Sequence, residues 1–187
     1  MAWENFKCEI KGVSPLIMHN GNLADPRNQY AKMMKERTGK RNKTESDLQE
    51  IERIEFLGGL YWKENQIILP AHVIEATIIA ASKKHREGML AKSGFFCIND
   101  SLLKYHGPQV PQKLWENEHF HYRQMVVVSK SRISRMRPIF NEWGAELFLQ
   151  YETTVINVSR LKAWVETAGK FIGFCELRPK YGRFEVV

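Results

Sequence analysis

Three things are scarce in this chain, and each scarcity removes a class of protein. Cysteine occurs three times, at Cys8, Cys97 and Cys175, with no CxxC pair. An odd number of widely spaced thiols is a poor disulfide framework and suits a reducing cytoplasm. These thiols and the six histidines show no zinc-ligand spacing, so no metal and no other cofactor is expected. Long apolar runs are missing too: no stretch approaches the roughly 18 residues that a membrane-spanning helix needs. The opening MAWENFKCEIKG lacks the basic segment and apolar run of a signal peptide, and the expectation is a cytoplasmic protein with no membrane partner. Enzyme signatures are the third absence, with no Walker loop, no GxSxG and no paired-aspartate motif.

What is present is an ordinary globular composition, 43% apolar and 26% charged, over a length that suits one domain with or without a large insertion. Lysine and arginine outnumber the acids 28 to 21, for a net charge of +7 and a pI near 9.3. Such a balance favours polyanionic partners.

Phe6, Cys8 and Ile10 alternate with Lys7, Glu9 and Lys11, the period of an amphipathic strand. Residues 20–44 read as a mobile basic loop with a short helix around Asn28–Glu36. Between Arg27 and Lys43 it carries seven cations, Lys40 and Arg41 among them, against one acid, Glu36. SDLQEIERIEFLGG predicts a helix capped by Thr44 or Ser46 and stopped by Gly58 and Gly59. LYWKENQIILP predicts a hairpin. PAHVIEATIIAASKKHREG predicts a helix with a stripe at Val73, Ile74, Thr77, Ile78 and Ala81 that ends at Gly88. Residues 89–121 have little pattern beyond a short strand at SGFFCIND. A strand through Met125–Val128 follows, then a long alternating strand at Ala145–Glu152. A helix capped by Asn157 or Ser159 and a last strand at Arg183–Val187 complete the order. With an insertion at about 89–135 set aside, the order contains β-α-β-β-α-β. That predicts a single α+β domain over 1–187, a ferredoxin-like (RRM-like) antiparallel sheet backed by helices with a thumb-like insertion.

The segments GVSPLIMHNGNLADP, IEFLGGLYW, ILPAHVIEATIIAASKK, RMRPIF and LRPKYGRF resemble uncharacterised bacteriophage and prophage proteins over nearly the whole chain. A more distant resemblance is to the RAMP superfamily, the RRM-like proteins of CRISPR systems, above all the backbone subunit that coats guide RNA. ILPAHVIEATIIAASKK is similar to that family's first core helix with its proline-containing lead-in. GFCELRPKYGRFEV is similar to its late glycine-containing loop and strand, with only Gly173 and Gly182 retained here. The resemblance implies subunits lined up along a nucleic-acid strand.

Ser129–Phe140, SKSRISRMRPIF, holds Lys130, Arg132, Arg135 and Arg137 and no acid. On a strand, Arg135 and Arg137 share a face and Arg132 points the other way. Arginine's planar fork binds phosphate and stacks on bases. Arg123 and Tyr122 precede this run and Trp143 follows, which adds aromatic platforms of the kind single-strand binders use. Arg178, Lys180 and Arg183 beside Tyr181 form a further cationic turn. As bland alternatives, the strand charges discourage edge aggregation and the basic loops are solubilising. For catalysis the one weak candidate is His19, just after the first strand, because some RAMP relatives cleave RNA with a histidine. The alternative is a histidine that satisfies a turn.

The function expected is binding of single-stranded DNA or RNA, largely without sequence preference, with self-association along the strand. Two alternatives stand beside it. One is a CRISPR-subunit mimic that inhibits a host effector complex by docking on it; the other is a metal-independent endoribonuclease using His19. CRISPR proteins or phage replication and recombination proteins are the protein partners these readings imply.

Overall fold

Strand β1 (Trp3–Gly12) contains the alternating stretch and starts ahead of it, and β2 (Leu16–Ile17) follows a short break. Helix α1 (Gln29–Thr38) is capped by the Asn28 side chain, and α2 (Glu45–Gly59) by Thr44. A tight turn with Glu64 and Asn65 at positive φ joins β3 (Trp62–Lys63) to β4 (Gln66–Leu69). Next come α3 (Ala71–Ser82), α4 (Gly88–Gly94), β5 (Phe95–Cys97), β6 (Ser101–Lys104) and α5 (Pro111–Trp115). The chain ends with β7 (His121–Val128), β8 (Ser131–Phe140), β9 (Gly144–Glu152), α6 (Val158–Thr167) and β10 (Phe184–Val186). This computed structural model describes residues 2–128 and 130–187. No helix among the described residues is long and apolar enough to cross a membrane.

The chain divides into two compact units, each described by itself. The first comprises the residues up to Leu16, Gln66–His106 and Phe140–Val187; the second comprises Ile17–Asn65 and Gly107–Ile139.

In the first unit β1 pairs β10 on one side and β9 on the other; β9 also pairs β5 and β6, and β6 pairs β4. These pairings are all antiparallel. If β5 and β6 count as one interrupted strand, the sheet reads 4-1-3-2 with α3 and α6 as crossovers, the ferredoxin-like arrangement. The register sets Phe6 opposite Leu149, Cys8 opposite Leu147 and Ile10 opposite Ala145. That side packs on Ile74, Ile78 and Ala81 of α3 and Leu161, Trp164 and Val165 of α6, all buried. Pro70 offers α3 no side-chain cap; instead Asp100 accepts from the Ala71 N–H at 3.0 Å. The Trp164 indole donates to Glu87 at 2.7 Å, so the buried ring keeps a polar partner.

Two boundaries differ from those the sequence predicts. The helix expected to run to Gly88 gives way after Ser82 to a 3-10 turn at Lys83–His85, which Arg86 ends by turning left-handed at φ 62°. Gly88 instead begins α4. The insertion expected at 89–135 starts later. Residues 95–97 and 101–104 are strands of the first unit's sheet, with Phe95, Cys97 and Leu103 buried. The segments assigned to the second unit are 17–65 and 107–139. Strands of three and four residues are too short to display a period.

In the second unit α2 is the spine. Its first turn is a capping box: the Asp47 N–H donates to the Thr44 hydroxyl at 3.2 Å and the Thr44 N–H to the Asp47 carboxylate at 3.1 Å. The expected loop over 20–44 is largely structured, with a 3-10 turn at Gly21–Ala24 and α1. A Cβ on Gly58 would lie 2.8 Å from Cβ of Tyr30, so glycine permits α1 to approach α2 closely. Strands β7 and β8 pair from His121 opposite Pro138 to Val128 opposite Ser131. Phe56 packs edge-on against Trp115 and His121, and these two rings stack at 4.4 Å.

Candidate nucleic-acid interface

Alternation along β8 puts Arg135 and Arg137 on one face and Arg132 on the other, as the spacing predicts. Helix α2 then supplies the acids that the run itself lacks. Ile51 and Ile54 turn α2 inward, and the same helical period brings Glu52 and Glu55 to the strands. Glu55 is buried; its carboxylate lies 2.7 Å from Arg137, 3.2 Å from Arg135 and accepts the Met136 N–H at 2.9 Å. The Arg137 side chain is only 12% exposed. Arg123 forms a fork with Glu52 through bonds of 2.9 and 2.7 Å, yet stays largely in solvent. Nearer the hairpin end the acids stop. Lys130 and Arg132 are exposed and have no ion-pair partner among the described residues. Met125, Val127 and Ile133 are exposed beside them. Ser129, first residue of the charged stretch, lies outside the described residues.

The loop between α6 and β10 is pinched by two glycines. Gly173 and Gly182 have φ of 79° and 72°. A Cβ on Gly182 would lie 2.1 Å from the Phe174 carbonyl oxygen, and one on Gly173 would lie 2.6 Å from that of Tyr181. Only glycine fits either position. The pinch is closed by the Phe174 N–H donating to Gly182 at 2.8 Å, and the Gly182 N–H reaches Pro15 at 2.8 Å. Between these closures Arg178 and Lys180 are exposed, and Arg183 is exposed just beyond. None of the three has an ion-pair partner among the described residues. The Lys180 ammonium sits 5.4 Å from the ring centre of half-buried Tyr181.

The basic segment 27–43 is partly neutralised. The Asp47 carboxylate pairs with Lys40 at 2.5 Å and with Arg37 at 3.6 Å. The hydrogen bond from Lys40, with those from Thr44, holds the Asp47 carboxyl down at about 2. Arg41 remains exposed.

Trp143 is not a stacking platform. It is 4% exposed, its indole N–H donates to the Ser14 carbonyl at 2.8 Å, and Gly12 is packed against the ring. A ring so enclosed offers no face to a base. Tyr122 is half-buried on β7, opposite Arg137. His19 is half-buried, and its carbonyl accepts from the Tyr61 hydroxyl at 3.2 Å. His121 stacks on Trp115 and its Nε2–H donates to the Trp115 carbonyl at 2.8 Å; burial lowers its pKa. Among the described residues no three His, Cys, Asp or Glu side chains are grouped to hold a metal. Burial pushes the Cys8 and Cys175 thiols up to about 12 and Cys97 to about 11, which makes all three weak nucleophiles.

Two features are not evident from the sequence alone. The pairing acids Glu52 and Glu55 are legible there only as two acids three residues apart on α2. The other is an aromatic row on the sheet face opposite the helices, which begins at Trp3, ahead of the alternating stretch that marks the strand. No protein-family model matches the chain, and no curated protein matches it significantly.

Proposed function

We propose that this protein binds single-stranded nucleic acid, largely without regard to sequence. One observation carries the reading: some cations are left without acid partners while their neighbours are neutralised. Lys130 and Arg132 at the β7–β8 end, and Arg178, Lys180 and Arg183 around the pinched loop, are exposed cations beside aromatic or apolar side chains. Phosphates would be held by these five and, through its exposed edge, by Arg123. Tyr181 and Tyr122 are the bases' neighbours in this reading. Arg135 and Arg137 serve the fold instead, because buried Glu55 is the counterion of both. Lys40 is likewise engaged with Asp47, and Arg41 adds a lesser exposed charge.

The strand order 4-1-3-2 supports kinship with RAMP-type proteins, and with it a place among phage or mobile-element proteins that coat a strand. The test is fluorescence anisotropy at low salt with labelled single-stranded DNA, single-stranded RNA and duplex. Preferential binding to either single strand is the expected result. A folded protein that binds none of the three would overturn the proposal, and capture of a CRISPR effector component would then favour the inhibitor reading.

A further inference from the structure

Resting on that reading, we propose that the bases of the bound strand stack on the open face of the first unit's sheet, with Trp3, Phe96 and Phe148 as the platform. Alternation in β1 turns Trp3, Asn5 and Lys7 away from the helices that cover Cys8 and Ile10. The register sets Asn5 opposite Gln150 and Lys7 opposite Phe148 on β9, and Gln150 opposite Phe96 on β5. All of these therefore share one face. Trp3 and Phe96 are 45% and 39% exposed, with ring centres 5.2 Å apart. Phe148 is half-buried, and the Lys7 ammonium lies 5.3 Å from its ring centre.

The chemistry around the rings selects the occupant. The core of a protein-docking patch is depleted in charge, whereas Lys7 and Glu146 form a 2.9 Å ion pair beside Phe148, and Lys104 and Glu9 form one of 2.6 Å. Lys11 adds a further exposed cation on β1. Between the rings the Gln150 amide donates to the Asn5 side chain at 3.1 Å. Flat apolar faces and amides in one row match bases, and Lys11, with no ion-pair partner among the described residues, is the cation on this face left for a phosphate. The net charge of +7 complements a polyanion.

The experiment compares thymidine and uridine oligonucleotides with abasic strands of the same length, for wild type and Trp3→Ala/Phe96→Ala. Wild type should prefer the base-bearing strands by roughly tenfold or more. The double variant should lose that preference while its affinity for the abasic strand stays unchanged; Trp3→Phe/Phe96→Tyr should restore it. Both positions are exposed, and unchanged thermal unfolding would verify that the variant is folded. If wild type binds base-bearing and abasic strands equally, or the double variant keeps the preference, the stacking face is wrong while nucleic-acid binding stands. If wild type binds none of the strands, the underlying reading fails and this proposal with it.

Discussion

Arg135 and Arg137 share one buried carboxylate, whereas Arg178, Lys180 and Arg183 face solvent with no ion-pair partner among the described residues. Neither run, Arg135–Arg137 or Arg178–Arg183, holds an acid within its own span. The acid that separates them comes from Glu55, about 80 positions before its partners. A cation held against a buried carboxylate has had its desolvation offset inside the protein, and removing the carboxylate leaves it stranded. A cation in water has no such obligation and is available to a phosphate. The same residue type thus serves stability in one region and, in the proposed reading, binding in the other.

That contrast is open to a direct attack on Glu55. Glu55→Gln should destabilise the protein by about 3–5 kcal/mol, since Arg137 and Arg135 lose their shared counterion. Urea unfolding checks this, and a loss below about 1 kcal/mol would remove the structural role assigned to the two arginines. Next in size is Gly182→Ala. A methyl group 2.1 Å from the Phe174 oxygen, at φ 72°, cannot be accommodated without moving the pinch. The expected cost is about 1–3 kcal/mol. Gly21→Ala, which meets nothing within 4 Å, is the control and should be near neutral in the same assay.

A pH series sharpens the comparison at α2. The Asp47 carboxyl titrates at about 2 in the fold, held there first by Lys40 and then by Thr44. Its folded value lies below the ordinary carboxylate value, so its contribution is complete above about pH 4 and is lost as the pH falls toward 2. Asp47→Asn should lower the melting temperature at neutral pH and flatten its fall across that acid window. An unchanged acid slope would contradict the assignment. The smallest stability effect belongs to the solvent-facing cations. Arg178→Ala/Lys180→Ala/Arg183→Ala should shift unfolding by no more than about 0.5 kcal/mol, and a larger loss would mean that these side chains also hold the fold together.

Periodicity located β1, β9 and α6, and cap chemistry narrowed the start of α2 to Thr44 or Ser46, of which Thr44 is the cap. Where apolar spacing was long and regular, as in Ile74, Ile78 and Ala81 of α3, the sequence revealed both the element and its buried side. It marked β5 within SGFFCIND but did not reveal β6, whose burial depends on a partner in β9 that is distant in the chain. Trp143 illustrates a related limit. Aromatic residues next to arginines read as platforms, but Gly12 leaves a space that this ring fills. The pairings of Arg123, Arg135 and Arg137 were hidden for the same reason, because ion pairs between elements leave no local trace. The outward face of β1 was legible at Lys7, Glu9 and Lys11, and Trp3 and Asn5 were left out of it.

Which cations are free to meet phosphate is measured most directly by the salt dependence of binding. The slope of log affinity against log salt for a single strand should become shallower by roughly one unit for each phosphate that a variant no longer neutralises. Lys130→Ala/Arg132→Ala and the triple variant at 178, 180 and 183 should therefore each flatten the slope and weaken binding while remaining folded. Slopes identical to wild type in both variants, with tight wild-type binding, would contradict the claim that the exposed cations of either unit meet phosphate.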